Sequence, residues 1–329
     1  MSDTTFSIEA KEEVWPLRNV FRISRGERTE SRVVVVTARD GAHVGRGEAN
    51  PIRRYNQTTA SVLAEIESVK AAKNLDRQKL QELLPPGAAR NALDCALWDL
   101  DAKRSGKRVW ELANVPMKPE VATSFTISLD TPEKMAAAAK ANATAPLLKL
   151  KLGGDDVDLA RVENVRDAAP ASRLLIDANE SWSPEHYEKI VPSLRALAVE
   201  LIEQPFPASA DEVLKNLERP IPVCADESCH TTVDLPRLKK RYEMINVKLD
   251  KTGGLTEALQ LCKRARESGF EILVGCMVGT SLSMAPARVL ASIADYVDLD
   301  GPLLLARDRE PGLVYHNGLV AMPSSELWG

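Results

Sequence analysis

The sequence predicts an α/β protein, a (β/α)8-type barrel in regular or modified TIM-barrel form with an N-terminal α+β capping domain. Two observations support this prediction. From about residue 120 onward, eight short aliphatic segments alternate with Ala- and Leu-rich helical segments, which is the order of parallel strands and crossover helices. Before that point, β-rich sequence is followed by helical sequence, as in a small α+β unit.

The N-terminal part begins with strands. Residues 6 to about 55 include the β-rich run Arg32–Ala38, followed by a turn at Asp40-Gly41. From about 58 to 112, apolar residues recur at helical spacing, most clearly along Ala89–Leu100. We therefore assign residues 1–115 to the capping domain. We expect residues 306–329 to pack on it, because this tail is too short to fold alone.

The eight predicted strands of the barrel lie within residues 116–305. They begin at residues 121, 147, 173, 199, 221, 244, 271 and 296. An open doubly wound sheet is the alternative, but no predicted strand is followed by the Gly-x-Gly-x-x-Gly turn typical of that fold. The spacing therefore favours a parallel barrel, slightly compact for its class.

The composition argues against several classes of protein. The 329 residues are 44% hydrophobic and include 47 acidic and 43 basic side chains, for a formal charge of -4. This balance disfavours a general nucleic-acid binder and gives no attraction to anionic membranes. The five cysteines contain no Cys-x-x-Cys pair, and we find no signal peptide or transmembrane run. We expect reduced thiols and a cytoplasmic location, and a homo-oligomer is compatible with the sequence.

Polar residues occur where the predicted strands end. Asp177, Glu203, Asp226 and Lys248 are separated by 26, 23 and 22 residues, each about one strand–helix repeat. Equivalent positions in a parallel barrel gather at the C-terminal ends of the strands. One such residue alone is commonly the cap of the next helix. A whole set in barrel register favours a single functional site.

Two lysines and three carboxylates suggest a metal site. Lys149 and Lys151 share one face of their predicted strand, because side chains alternate along a strand. Buried charges need partners, which Asp177, Glu203 and Asp226 would supply. Three carboxylates without a suitably placed histidine suit a hard cation, with Mg²⁺ as the first choice and Mn²⁺ as the alternative.

The chain resembles the enolase superfamily, in its muconate-lactonizing-enzyme subgroup. The resemblance covers nearly the whole chain and is carried by the segments LKLKL, IDANESW, IEQPFP, ADES and NVKLDKTGG. Within the subgroup, Asp298-Leu299-Asp300-Gly301 is similar to the corresponding segment of dipeptide epimerases of the L-Ala-D/L-Glu type. The resemblance implies a Mg²⁺-dependent isomerase that epimerises a dipeptide at the α-carbon of its C-terminal residue, in a pathway such as cell-wall peptide recycling.

The resemblance also implies the chemistry. Asp177, Glu203 and Asp226 would ligate one Mg²⁺ per subunit, which would stabilise the enolate formed from the substrate carboxylate. Lys151 and Lys248 would be bases on opposite faces of the α-carbon, giving two-base 1,1-proton transfer. Lys149 would help to bind the substrate, and beside Lys151 it would disfavour the charged form of that lysine, because like charges repel.

The remaining implied roles concern substrate binding. Asp298 and Asp300 would bind the α-ammonium group of the dipeptide. Arg25, in the cap-loop segment FRISRGER, would bind the glutamate side-chain carboxylate, with Arg28 as the alternative. Thr126, from the first barrel strand, would contact the substrate.

Other activities are compatible with the same residues. An o-succinylbenzoate synthase, which is a lyase, and a muconate cycloisomerase share the metal and base residues of this subgroup. A non-catalytic barrel that binds a small molecule is the alternative from another class, and the two lysines would be dispensable in it. The sequence leaves open which dipeptides are preferred, because that depends on cap-loop residues such as Arg53, Arg54 and Tyr55.

Overall fold

The computed structural model describes residues 6–329. Its N-terminal part opens with a three-stranded antiparallel meander, formed by β1 (Ser7–Ile23), β2 (Gly26–Asp40) and β3 (His43–Ala49). The valines of the central strand are buried on both of its faces. Val33 and Val35 pack into the main hydrophobic cluster, whereas Val34 and Val36 pack against the cap helices. This double burial explains why the strand is a continuous rather than an alternating apolar run.

Helices follow the meander, as predicted. They are α1 (Thr59–Val69), α2 (Arg77–Leu83), α3 (Ala88–Ser105) and α4 (Val109–Leu112). Thr58 caps the first of these and Asp76 the second, each through its side-chain oxygen. Helix α3 lies against the meander so closely that a Cβ at Gly45 or Gly47 would lie 2.1 Å from a carbonyl oxygen of α3.

The first predicted barrel strand is divided in two. Its beginning, β4 (Glu120–Ala122), pairs antiparallel with a strand of the C-terminal tail, and only β5 (Phe125–Ile127) belongs to the parallel sheet. The other seven strands are β6 (Leu147–Lys151), β7 (Arg173–Asp177), β8 (Val199–Glu203), β9 (Val223–Ala225), β10 (Met244–Val247), β11 (Glu271–Val274) and β12 (Tyr296–Val297). They are hydrogen-bonded in chain order. Ser124 N donates to Val297 O at 2.9 Å, which closes the sheet between its first and last strands.

The outer helices differ from those of a regular (β/α)8 barrel, in which a full helix follows each strand. They are α5 (Pro132–Ala141), α6 (Asp158–Ala168), α7 (Pro184–Ala196), α8 (Leu235–Leu238), α9 (Leu249–Thr252), α10 (Leu255–Glu267), α11 (Ser281–Ala291) and α12 (Gly301–Leu304). After β8 the α-helix is replaced by a 3₁₀ segment, Asp211–Lys215, and after β12 only one turn remains. Inside the barrel, below the strand ends, lies a small apolar cluster of Leu147, Leu175, Leu201, Cys224, Met244 and Leu273.

The C-terminal tail contacts both parts of the chain. Its strands β13 (Tyr315–His316) and β14 (Leu319–Ala321) form a small sheet with β4. Trp328 Nε1 donates to Cys95 O at 3.0 Å, and Gly329 N donates to Asp99 Oδ1 at 2.7 Å. These bonds to α3 support our proposed assignment of the tail to the cap. Within residues 6–329, no helix combines the length and the apolar character needed to cross a bilayer.

Candidate active site

The three predicted carboxylates meet at one end of the barrel. Asp177 and Glu203 are the last residues of β7 and β8 and are register partners, and Asp226 directly follows β9. All three are buried, and each offers an oxygen within 4.8 Å of those of the other two. Residues spaced by one strand–helix repeat in the sequence thus lie together in a compact cluster, because the C-terminal ends of parallel strands meet at the same end of the barrel.

The two lysines that we predicted to act as bases lie on either side of this cluster. Lys151 Nζ lies 2.5 Å from Asp177 Oδ2, and Lys248 Nζ lies 2.7 Å from Asp226 Oδ2. Lys151 ends β6 and Lys248 follows β10, four strands further along a closed eight-stranded sheet. The two amino groups therefore approach the centre from opposite sides of the barrel.

Lys149 is the most extensively paired lysine of the site. Its Nζ lies 2.6 Å from Glu203 Oε2, 2.8 Å from Asp298 Oδ2 and 3.3 Å from Asp177 Oδ2. Burial alone would lower the pKa of Lys149, but these carboxylates outweigh burial and raise it above its usual range. Lys149 is therefore a fixed positive charge.

The carboxylates differ in how well their charges are compensated. Burial would raise the pKa of Asp177, but Lys151 and Lys149 lower it below its usual range. Burial, with Asp177 and Asp226 nearby, raises the pKa of Glu203 to about 7. Although Glu203 Oε2 is close to Lys149, it makes no aligned hydrogen bond within residues 6–329. An oxygen-only donor set with one undercompensated carboxylate fits a hard divalent cation.

Asp298 and Asp300 face the first barrel strand. Asp298 Oδ1 accepts a hydrogen bond from Ser124 Oγ at 2.5 Å, and Asp300 Oδ2 accepts one from Thr126 N at 2.7 Å. Burial would raise the pKa of Asp298, but Lys149 lowers it, whereas burial and Asp298 together raise the pKa of Asp300 to about 7. Asp300 therefore holds a proton more readily than Asp298 does.

Arg25 lies at the tip of the β1–β2 hairpin and reaches the barrel loops. Its Nη1 donates to Asn179 O at 2.7 Å and lies 3.1 Å from Glu180 Oε2, and its Nη2 donates to Glu227 Oε1 at 2.7 Å. Glu180 also binds Arg54, with 2.5 Å between Oε2 and Nε. Both arginines are therefore already paired with carboxylates of the barrel.

A cavity of about 540 Å³ lies between the cap loops and the strand ends. Lys151, Asp226 and Lys248 line its floor, and Arg28 and Arg53 are among the cap residues that line its walls. Burial and then the charge of Arg53 lower the pKa of Arg28. Within residues 6–329, neither of these two arginines forms an ion pair with a carboxylate, so the cavity wall offers two uncompensated cations.

Two residues whose side chains contact the three central carboxylates did not emerge from the sequence reasoning. Lys251 Nζ lies 2.6 Å from Asp226 Oδ1 and donates to Asn246 O at 3.0 Å, and Asn246 Nδ2 donates to Glu203 Oε1 at 2.7 Å. Asn246 precedes Lys248 by two residues, so the same alternation that linked Lys149 to Lys151 could have placed it on the inner face. Lys251 carried no comparable signal.

Comparison with known proteins extends these findings. Residues 5–113 match the family described as mandelate racemase / muconate lactonizing enzyme, N-terminal domain, and residues 133–326 match the family described as enolase C-terminal domain-like. The chain is 46% identical over 316 residues to an L-Ala-D/L-Glu epimerase of Escherichia coli strain K12, covering 95% of this chain and 98% of that protein.

Two further relatives are informative. An N-acetyl-D-glutamate racemase of a Pseudoalteromonas species is 46% identical over 301 residues, covering 90% of this chain and 95% of that protein. The crystal structure of an enolase family member from Agrobacterium tumefaciens, with homology to dipeptide epimerases, contains sodium and L-Ala-L-Glu with an ordered loop. It is 50% identical, covers 99% of this chain and 100% of that chain, and gives a TM-score of 0.96.

These comparisons confirm the predicted barrel fold and the predicted enzyme class. Racemases and epimerases are isomerases, and the protein is an isomerase. The matched segments include the strands that carry every carboxylate and lysine of the central cluster. The chain therefore belongs to the mandelate racemase / muconate lactonizing enzyme family of the enolase superfamily.

Proposed function

We propose that the protein is a Mg²⁺-dependent dipeptide epimerase that inverts the α-carbon of the C-terminal residue of L-Ala-D/L-Glu. One observation carries the proposal: Lys151 and Lys248 approach the buried carboxylate cluster from opposite sides of the barrel. Support comes from the Escherichia coli relative, an L-Ala-D/L-Glu epimerase, and from the Agrobacterium tumefaciens structure, which contains L-Ala-L-Glu.

The lysines perform the proton transfer. One lysine, as the neutral amine, removes the α-proton from one face, and the opposite lysine, as ammonium, donates a proton to the other face. Proton exchange with solvent then restores both groups. A positioned general acid or base of this kind contributes about 10²–10⁴-fold to a rate. Because each lysine serves one face, the same pair works in both directions of the reaction.

Asp177, Glu203 and Asp226 would hold the metal ion. A divalent cation bound by these three carboxylates supplies positive charge beside the substrate carboxylate, where negative charge develops as the α-proton leaves. Burial lowers the pKa of Lys248, but Asp226 and Glu203 outweigh it and raise the pKa. When those carboxylates hold a cation, they no longer stabilise the ammonium form of Lys248 to the same extent, which favours its use as a base.

We assign the ammonium end of the dipeptide to Asp298 and Asp300. Asp298 already binds Lys149 and Ser124, so its negative charge is shared. Asp300 has no lysine at hydrogen-bond distance within residues 6–329 and is fixed by the backbone N–H of Thr126. We therefore propose that Asp300 makes the direct contact and that Thr126 acts by orienting it.

We assign the glutamate side chain to Arg28 rather than to Arg25. Arg25 is held by Glu180 and Glu227 and serves to attach the hairpin tip to the barrel. Arg28 and Arg53 are mutually repulsive cations on the cavity wall. A carboxylate placed between them would relieve this repulsion and gain charge-assisted hydrogen bonds.

A second candidate is the racemisation of N-acetylglutamate, which shares an acylated glutamate with the dipeptide. The Pseudoalteromonas relative is an N-acetyl-D-glutamate racemase. The specific observation in its favour is that burial and Asp298 raise the pKa of Asp300 to about 7. A protonated Asp300 can donate a hydrogen bond to an acyl group and does not require an ammonium partner.

The experiment is incubation of the purified protein with Mg²⁺ in D₂O, separately with L-Ala-L-Glu, L-Ala-D-Glu and N-acetyl-D-glutamate. Loss of the α-proton is followed by ¹H NMR, and the configuration is followed by chiral chromatography. We expect deuterium at the glutamate α-carbon together with inversion. Lys151→Ala and Lys248→Ala serve as matched controls that should each abolish inversion. Failure to exchange the α-proton of any dipeptide or N-acylglutamate would exclude the proposal.

A further inference from the structure

The backbone around Lys248 depends on a one-turn helix. Lys248 lies at the junction between β10 and α9, and its carbonyl oxygen accepts from Lys251 N and Thr252 N, both at 3.0 Å. A helix of this length has too few internal hydrogen bonds to fix itself. Strand β10 fixes the backbone before Lys248, and the backbone after it is set by whatever holds α9 from outside.

Helix α3 of the cap holds it. Asn91 Nδ2 donates to Asp250 Oδ1 at 2.9 Å, and Arg90 Nη2 donates to Thr252 O at 2.7 Å. Arg90 Nε also donates to Gly253 O at 3.2 Å. All of these residues, Gly253 included, are buried, so the bonds form in a medium where each is strong.

The contact continues into the next helix. Asp94 accepts from Thr256 N at 2.9 Å and from Thr256 Oγ1 at 2.6 Å, and Trp98 Nε1 donates to Thr256 Oγ1 at 2.9 Å. The packing is close, since a Cβ on Gly254 would lie 2.5 Å from Asp94 Cβ. Positions 90, 91, 94 and 98 form one face of α3. This polar face, within an otherwise apolar run, is directed at the segment that follows Lys248.

The other base is supported differently. The segment after Lys151 is held by Asp158, which accepts from Gly153 N at 3.0 Å and from Gly154 N at 2.8 Å. Trp182 Nε1 donates to the same carboxylate at 3.2 Å. These partners all belong to the barrel. The cap helix α3 thus supports one of the two bases and not the other.

We propose that Asn91 is a positioning residue for Lys248, acting through Asp250, so that helix α3 of the cap sets the alignment of one base only. The inference rests on the proposed two-base function. Asp250 Oδ1 accepts both from Asn91 Nδ2 and, at 2.8 Å, from Asn50 N. This one oxygen therefore connects α3, the cap loop after β3 and the turn that follows Lys248, and loss of Asn91 removes the link to α3.

The test is face-selective exchange with Asn91→Ala. At low conversion in D₂O, each epimer of the substrate reports on the base that faces its α-proton. We expect the epimer facing Lys248 to exchange about 10- to 100-fold more slowly, since small misplacements of a catalytic group cost up to about that factor. The epimer facing Lys151 should still exchange without a comparable loss, because Lys151 can remove the α-proton, exchange it with D₂O and return a deuteron. It should do so with retention of configuration, because reprotonation by Lys248 is impaired.

Two control variants sharpen this test. Asp250→Asn keeps an acceptor oxygen for Asn50 and Asn91 and should behave like wild type, whereas Asp250→Ala should reproduce the one-sided defect. Asp101→Ala removes a carboxylate of α3 that pairs with Arg77 and Arg104 on the outer face, and it should slow neither epimer. Equal slowing of both epimers by Asn91→Ala, or of neither, would overturn the inference while leaving the proposed function intact.

A second measurement does not depend on activity. Amide hydrogen exchange of Asn91→Ala should become faster across residues 249–256 and stay at wild-type rates across residues 152–158. Uniform change, or no change, in these two segments would overturn the inference. Should the wild type exchange no dipeptide α-proton, the proposed function fails, and amide exchange still decides whether α3 holds this turn.

Discussion

Lys149 Nζ lies 2.8 Å from Asp298 Oδ2, so the second and eighth strands of the barrel are joined by an ion pair that passes over the first. The pair places a fixed positive charge next to the carboxylate that we propose as part of the ammonium site. In the proposed function, the charge of Asp298 is shared between Lys149 and the ammonium group of the substrate, which Asp300 contacts directly.

Replacement of Asp298 by asparagine should strongly impair turnover of a dipeptide. The variant leaves Lys149 and the bound ammonium group without a full negative charge, and a hydrogen bond to a charged group is worth about 1.5–3 kcal/mol. We expect kcat/KM for L-Ala-L-Glu to fall accordingly, as measured by polarimetry or coupled chiral analysis. Unchanged kcat/KM would instead favour a subgroup member whose substrate lacks an ammonium group.

Asp300→Asn distinguishes the two candidate substrates. An amide side chain cannot neutralise an ammonium group, but it can hydrogen-bond an acyl group. We expect the variant to lose activity on L-Ala-L-Glu while keeping activity on N-acetylglutamate. Parallel kinetics with both substrates provide the comparison, and an equal loss on both would show that Asp300 does not read this end of the substrate.

The two cap-loop arginines should give different kinetic signatures. Arg28→Ala should raise KM for L-Ala-L-Glu and leave an uncharged dipeptide such as L-Ala-L-Leu unaffected, because only the acidic side chain uses this cation. Arg25→Ala should affect both dipeptides, because Arg25 attaches the hairpin to Glu180 and Glu227. The measurement is kcat/KM for L-Ala-L-Glu divided by kcat/KM for L-Ala-L-Leu. If this ratio falls further in Arg25→Ala than in Arg28→Ala, our assignment is reversed.

Metal binding should stabilise the fold as well as support activity. The carboxylate cluster is undercompensated at Glu203, and a ligand at about a hundred times its Kd adds about 2.7 kcal/mol to the free energy of unfolding. We expect Mg²⁺ to raise the thermal midpoint of chelator-treated protein and Mn²⁺ to do the same. Glu203→Gln is the matched variant and should show a much smaller rise. An equal rise in both proteins would place the ion elsewhere.

Stability should depend on pH through Asp94. Burial raises the pKa of Asp94 to about 6 despite its hydrogen bonds from Thr256. The folded protein therefore holds this proton more tightly than the unfolded chain, in which an aspartate has a pKa of about 3.9. The contribution of protonated Asp94 to the free energy of unfolding is fully present below about pH 4 and is lost as pH rises through about 6.

Asp94→Asn should remove this dependence. The amide oxygen still accepts from Thr256, and the buried charge is absent. Across the window from about pH 4 to 6, the variant should gain stability over wild type by at most about 1.4 kcal/mol per pH unit. Urea unfolding midpoints of both proteins across this range provide the test, and parallel curves would contradict it.

The sequence predicted those parts of the fold and site that depend on local patterns. Asp177, Glu203, Asp226 and Lys248 could be found because each is the last residue of a strand or the residue directly after it, and the repeat length fixes the register between them. The eight barrel strands followed from the same repeat. The division of the first strand was not predicted, because β4 takes its partner from a tail almost two hundred residues away.

The periodicity of the sequence did not predict contacts between segments that are distant along the chain. Lys149 was placed correctly on the inner face, but its bond to Asp298 exists only because the sheet closes. The sequence predicted Arg25 as the ligand for an acidic side chain, with Arg28 as the alternative, and the two are distinguished only by the path of the β1–β2 hairpin. Lys251 lies on a one-turn helix, which is too short to show periodicity.

The seam of the barrel has an evolutionary consequence. Ser124 N, Ser124 Oγ and Thr126 N bind Val297, Asp298 and Asp300, so the side chains proposed to recognise the substrate also fasten the last strand to the first. A mutation that changes substrate recognition there also weakens the closure of the barrel. The cap-loop residues Arg28 and Arg53 do not take part in closing the barrel. New specificities in this scaffold should therefore arise first in the cap loops, while the eighth strand stays constrained by its part in closing the fold.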